Sequence, residues 1–220
     1  MRKLALAAAA ILTPFTVFGQ MLPDKSYLTL DEQSVWTLPS HRIELALNLS
    51  SAEKQRISHA FSEYGKREQV LLNKGAVNED AYAKLDHALA SKVLDSLPSP
   101  RRARLHEIAL QLKGVSALED RSVANELGIS AAEATKIKSI LDAREKRQAD
   151  FDEALANKLV AVPHVSPPSA YEKRKQEVVK SMAPQLKRLQ RQSRADEWKV
   201  LAVLSEAQRQ RWTAMLGARI

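Results

Sequence analysis

Apolar residues recur through most of the chain at three- and four-residue spacing, the period of a helix with one buried face. Two long stretches show it best. In the first, Ile57, Ala60, Phe61, Tyr64 and Leu71 fall on one face. In the second, Ile137, Ile140, Leu141, Phe151, Leu155 and Leu159 do, with Arg144 among them. No run of alternating β-branched residues competes, so the pattern predicts helices and no sheet.

Each long stretch opens on the same short sequence. Leu47-Asn48-Leu49-Ser50-Ser51-Ala52-Glu53 precedes the first, and Leu127-Gly128-Ile129-Ser130-Ala131-Ala132-Glu133 precedes the second. Ser50 with Glu53, and Ser130 with Glu133, have the S-x-x-E spacing of a capping box, in which each side chain bonds the other residue's backbone N–H. Short helices lead into both. Ser40 would cap one carrying Ile43 and Leu47, and Asp120 one carrying Val123 and Leu127. Gly128 suits a helix C-terminus, where positive φ is needed, and Asn48 is the next-best residue for that place.

Beyond the boxes the correspondence continues. Ile57, Phe61 and Leu71 match Ile137, Leu141 and Phe151 at an offset of 80, whereas Val93, Leu94 and Leu97 match Val200, Leu201 and Leu204 at 107. The second half therefore carries 27 more residues, divided between an outgoing and a returning helix. At ~1.5 Å per residue, each arm is longer by roughly 20 Å. The expected fold is all-α: two helical hairpins from an internal duplication, the second longer and coiled-coil-like. The first turn falls at Lys74-Gly75-Ala76-Val77, with Asn78 capping the return helix. The second falls at Pro163-His164-Val165-Ser166-Pro167-Pro168, with Ser169 as cap. Pro184 lies inside the last long helix, where it removes a backbone bond and predicts a kink or a break.

The N-terminus changes the picture of compartment. Arg2 and Lys3 precede an apolar run from Leu4 to Val17, and Val17 and Gly19 are small enough to flank a cleavage site before Gln20. This is the pattern of a secretory signal peptide. The alternative is an uncleaved anchor, but the run is short of the ~20 residues that span a bilayer. The expected organisation is a signal peptide over 1–19, a lead segment over 20–37, a first hairpin repeat over 38–114 and a second over 118–220. The lead segment is read as a short helix or as chain lying on the body, with Trp36 as its anchor. The expected location is periplasmic or secreted. The chain has no cysteine, so neither a disulfide nor a lipobox is available, and the core alone must hold an exported protein together.

The net charge is +8, from 34 basic and 26 acidic residues; losing Arg2 and Lys3 leaves 32 basic residues and +6. Most of that excess is local. Residues 171–199 hold nine Lys/Arg and four Asp/Glu. Lys173, Lys180, Lys187, Arg191 and Arg194 share one helical face, opposite Val178, Met182, Leu186 and Leu189. Trp198 falls on the basic side, which suggests that this face turns inward near its end. Two readings stay open: a solvated outer face, or a docking surface for an anionic partner such as lipid headgroups, an acidic polymer or an acidic polypeptide. Export disfavours nucleic acid.

Catalytic signals are lacking. His41, His59, His87, His106 and His164 are scattered without metal-ligand spacing. No phosphate loop, nucleophile elbow or H-E-x-x-H occurs. The expectation is a non-enzyme with no metal and no cofactor.

Leu204-Ser205-Glu206-Ala207-Gln208, followed by Arg209, Arg211 and Trp212, resembles the L-T-x-x-Q motif of small exported helical proteins of the Spy/CpxP type. The boxes at Leu49–Glu53 and Ile129–Glu133 look like weaker copies. In these three, serine stands for threonine; glutamate stands for glutamine in two, and Ile129 for leucine in one. The resemblance covers the boxes, whose cap residues are Ser50, Glu53, Ser130, Glu133, Ser205 and Gln208, and the hairpin layout. It implies an envelope chaperone or stress modulator that dimerises into a basic cradle. The metal-sensing role of a related branch does not carry over, because the histidine-rich segments are absent. Together these features lead to an exported binding protein of chaperone or stress-modulator type. The alternative is a structural, envelope-associated protein that binds anionic surfaces through its basic helix. Expected partners are a protein or an anionic envelope component, with peripheral membrane contact, and a second copy of the chain as a homodimer.

Overall fold

The computed structural model describes Lys25 and residues 27–73, 79–163 and 167–220. The predicted cleavage site at Gln20, the first hairpin turn with Asn78, and His164, Val165 and Ser166 of the second turn lie outside the described residues.

Among the described residues all regular structure is helical. The α-helices are α1 (Leu30–Ser34), α2 (His41–Leu47), α3 (Ser51–Asn73), α4 (Glu79–Ser96), α5 (Ser99–Lys113), α6 (Arg121–Leu127), α7 (Ala131–Val160), α8 (Pro168–Val203) and α9 (Glu206–Met215). Short 3₁₀ helices follow α1 and α5, at Val35–Thr37 and Gly114–Glu119. The chain falls into two compact units. One comprises the described residues up to Val123 together with Ala207–Ile220; the other is Ala124–Glu206.

In the first unit α3 and α4 pack as a hairpin, with α1 and α2 against α5. Leu89, Ala90 and Val93 of α4 meet the apolar face of α3, where Ile57, Ala60 and Tyr64 are buried and Phe61 is half-buried. Ile43 and Leu47 of α2 and Leu105 and Ile108 of α5 complete this core. The C-terminus is tied to α5: Gln111 Nε2 donates to the carbonyls of Leu216 and Ala218 at 2.5 and 2.8 Å, and Ile220 N donates back to Gln111 Oε1.

In the second unit α7 and α8 form the longer hairpin, of 30 and 36 residues against 23 and 18 for α3 and α4. Ile137, Leu141 and Leu155 are the buried residues of α7; Met182, Leu189 and Val200 are the buried apolar residues of α8. The predicted faces are thus the packed ones.

The entry to both hairpins is built alike. Asn48 (φ 49°) and Gly128 (φ 66°) take left-handed conformations after α2 and α6. Asn48 N bonds Leu45 O and Leu49 N bonds Glu44 O; Gly128 N bonds Asn125 O and Ile129 N bonds Ala124 O. That paired pattern is the Schellman motif, which satisfies carbonyls that the ending helix leaves over. Two residues later comes each capping box. Ser130 accepts from Glu133 N at 3.3 Å while Ser130 N donates to Glu133 Oε2 at 2.7 Å, and Ser50 with Glu53 repeats these distances.

Three expectations are corrected. Ser40 stands at the N-cap of α2 but makes no side-chain cap bond; the residue three on is Ile43, which offers no return bond. Ser169 is not the cap of α8, because the helix begins one residue earlier at Pro168, with Pro167 at the N-cap. Proline suits the first helical position, where its missing N–H would have no partner. Of the kink or break expected at Pro184, the break does not occur: α8 runs through it unbroken. Its position is exposed, so the carbonyl that lost its N–H partner can turn to water.

Candidate functional site

The hydrophobic side of α8 fixes which of its residues face solvent. Met182, Leu189 and Val200 are buried and Val178 and Leu186 half-buried, so the opposite line of the helix is left outside. On that line Lys173, Lys180, Lys187, Arg191 and Arg194 are all exposed, and none forms an ion pair among the described residues. Adjacent to the line, Arg174 and Arg188 are exposed as well. The acids of α8 are mostly engaged: Glu172 pairs with Lys175 at 3.2 Å, Asp196 is buried, and Glu197 pairs with Arg144 at 3.6 Å. Glu177 is the acid that stays within the row. Trp198 does not turn inward as expected; its side chain is 74% exposed beside Arg194 and Arg191. The buried residues of that turn are Asp196 and Val200.

Lys175 behaves differently from the row. It lies 4.3 Å from the Tyr171 ring centroid and bonds Glu172, and that hydrogen bond, against some desolvation, raises its pKa.

A second constellation lies inside the first unit. Asp86 of α4 is 1% exposed. Its Oδ2 meets Lys25 Nζ at 2.5 Å and accepts from the Tyr27 hydroxyl, while Oδ1 accepts from Tyr64 of α3 at 2.8 Å. Burial, then the hydrogen bond to Asp86, pushes both phenols well above their usual range. They stay protonated as donors and are not poised as bases. Lys25 also sits 3.8 Å from the Trp36 ring centroid, and Trp36 packs edge-on against Phe61 and Tyr64. Two histidines join the same segment. His87 Nδ1 is 2.7 Å from Glu32 and His106 Nδ1 is 2.5 Å from Asp31. These contacts fasten the lead segment to α4 and α5. The nearby hollow, lined by Glu63, Tyr64, Arg67 and Lys92 among others, holds about 60 Å³, against the ~300–1,000 Å³ of small-molecule sites. The cluster reads as a structural clasp.

The second unit has a buried acid too. Asp196 accepts from the Arg147 guanidinium of α7 and from Lys199 at 3.0 Å. Asp196 is 4% exposed, and these two partners supply the hydrogen bonds that a buried polar group would otherwise lack.

The cap residues are placed as follows. Glu53 is buried and also pairs with Arg101 at 3.1 Å, and Arg101 donates to Asn48 O at 2.9 Å, locking the first junction. Bonds from Ser50 hold the Glu53 carboxyl below its usual range. Asp120 accepts from Ser122 N at 2.9 Å as the cap of α6. Ser205 immediately precedes α9, and Gln208 is buried. A further box was not expected: Thr29 accepts from Glu32 N, and Thr29 N donates to Glu32 Oε2 at 2.8 Å, opening α1. Its signal was available as Leu28-Thr29-Leu30-Asp31-Glu32, which carries threonine where the other copies carry serine. Among the described residues no group of three or more His, Cys, Asp or Glu could hold a metal ion, and no helix is long and apolar enough to cross a membrane.

The fold class is therefore all-α, with the exposed basic face of α8 as its most distinct surface. No protein-family model, no curated protein and no solved structure matches the chain.

Proposed function

We propose that the chain is an exported, non-enzymatic binding protein whose working surface is the basic face of α8, turned toward an anionic partner. The observation that carries this reading is the row Lys173, Lys180, Lys187, Arg191 and Arg194, exposed and without ion pairs among the described residues. A helix in need only of solubility intersperses both signs on its outer face, and paired charges then cancel. Five cations on one line instead sum to a field that attracts negative charge. The apolar N-terminal run and the small residues before Gln20 support export.

The test is retention of the purified protein on immobilised polyglutamate across a salt gradient. The unaltered protein should bind at low salt and elute as the Debye length falls to ~8 Å at physiological ionic strength. Reversal by Lys180→Glu, Lys187→Glu and Arg191→Glu should abolish retention and leave the helical circular dichroism unchanged. Equal retention of the folded, reversed protein would reduce the row to a solvated face.

A second reading is an envelope chaperone or stress modulator, supported by the L-T-x-x-Q-like boxes and by exposed Leu45, Val70, Leu72 and Val160, which offer apolar contacts to an unfolded chain. Suppression of light scattering by a chemically unfolded client would favour it; unchanged scattering at equimolar protein would count against it.

A further inference from the structure

We infer that the anionic partner of α8 is a phospholipid surface, which the helix meets side-on with Trp198 entering the headgroup layer. This inference rests on the basic-row reading and adds to it a partner of defined chemistry. Four features of the surface point there.

The first is shape. Lys173 and Trp198 stand 25 positions apart on one continuous helix, or roughly 38 Å at ~1.5 Å per residue. A row this long and this narrow fits a flat charged sheet, where every cation reaches its own headgroup. The second is charge. Among the row's residues only Glu177 opposes the cations, and it lies near the N-terminal end. From Lys180 to Arg194 every charged residue of the row is basic.

The third is Trp198. A large aromatic that is 74% exposed leaves apolar surface in water, which costs free energy unless a partner covers it. It follows Arg191 by seven residues and Arg194 by four, so it continues the same line. Tryptophan is enriched where one end of a side chain is apolar and the other wet, above all at membrane–water interfaces. An acidic polymer would use the cations and leave the indole without apolar cover. The fourth is hydrophobicity. The buried side of α8 is occupied by its own core, Met182, Leu189 and Val200, and no described helix is suited to span a bilayer. Attachment is therefore peripheral, by charge plus one aromatic, which makes it reversible.

The test uses the full chain with vesicles of phosphatidylcholine alone or with about a third phosphatidylglycerol. Co-sedimentation gives affinity, and quenching by brominated lipid reports indole depth. Polyglutamate serves as a soluble anion of matched charge. The unaltered protein should bind the phosphatidylglycerol vesicles and ignore phosphatidylcholine, with tryptophan quenching. Since each Lys or Arg near an anionic surface contributes roughly fivefold, Lys180→Gln, Lys187→Gln and Arg191→Gln together should cost about a hundredfold. Trp198→Ala should weaken vesicle binding by roughly tenfold, the share of one large buried side chain, and leave polyglutamate binding unchanged. Binding to polyglutamate without binding to anionic vesicles, or vesicle binding indifferent to Trp198→Ala, would overturn the lipid partner and leave the basic-row reading standing. Binding of neither by the folded protein at low salt would overturn both.

Discussion

Tyr64→Phe removes a single oxygen and tests whether the Asp86 clasp stabilises the first unit. The hydroxyl donates to Asp86 Oδ1 at 2.8 Å. The ring should keep its place, because it packs against Trp36 with centroids 5.0 Å apart and does not depend on the oxygen. Asp86 retains Lys25 and Tyr27, but both bond Oδ2. Oδ1 would be left without its partner in a side chain that water scarcely reaches. A hydrogen bond to a charged group is worth about 1.5–3 kcal/mol, so the expected loss is about 2 kcal/mol. The chain has two compact units and need not unfold as one, so a single denaturation midpoint is the wrong readout. Native-state hydrogen exchange of α3 and α4 amides is better, and a 2 kcal/mol loss accelerates it by about thirtyfold. Alkaline pH supplies an independent arm. The Tyr64 pKa is raised in the fold above its ordinary 10.0. A raised pKa contributes stability that is fully present below pH 10 and lost as pH climbs toward the folded value. Protection of α3 and α4 should therefore fall above pH 10 in the unaltered protein, and less steeply in Tyr64→Phe. An exchange change under about twofold, with the same alkaline slope, would refute the clasp.

Two further outcomes follow from local geometry. Ser50→Ala and Ser130→Ala should each lose about 0.5–2 kcal/mol, read by native-state hydrogen exchange of the α3 and α7 amides respectively, because each serine accepts from the backbone N–H of its glutamate; no faster exchange at either site would mean these bonds do not cap. Glu32 is pushed upward by burial but pulled further down by hydrogen bonds from His87 and Thr29, so its carboxyl titrates below the usual range. Its contribution is present above pH 4.5 and lost as pH falls through the folded value, so hydrogen exchange between pH 5 and 3 should show α1 loosening, and Glu32→Gln should flatten that dependence.

What could be read from the sequence is what is decided over a few residues. The capping boxes need only a serine and a glutamate three apart, and the Schellman turns need only Gly128 or Asn48 where φ is positive. The faces of α3 and α7 follow from helical period alone. The clasp could not be read this way. Lys25 and Tyr27 lie 61 and 59 positions from Asp86, and nothing near Asp86 marks it as a buried acid. The lead segment is ambiguous in sequence because α1 is five residues long, too short for a period to show, although it carries the Thr29–Glu32 spacing. For the basic row, sequence gave the side of the helix but not the exposure of Trp198, which depends on which residues of that turn the core takes up.

The division of labour on α8 explains why its unusual residues are tolerated. Proline inside a helix costs ~3 kcal/mol or more, from the lost N–H bond and the clash of its ring with the carbonyl four residues back. Pro184 lies in the basic row, on the exposed side, where water can take the freed carbonyl and no packed neighbour resists a small adjustment. Uncompensated cations meet the same condition: in solvent they are hydrated, whereas in the core each would need a partner such as Asp196 has in Arg147 and Lys199. Stability of the long hairpin accordingly rests on Ile137, Leu141, Leu155, Met182, Leu189 and Val200, and none of these belongs to the row. Charge reversal on α8 therefore leaves the packed face intact, so a loss of binding in such variants can be assigned to the surface they change.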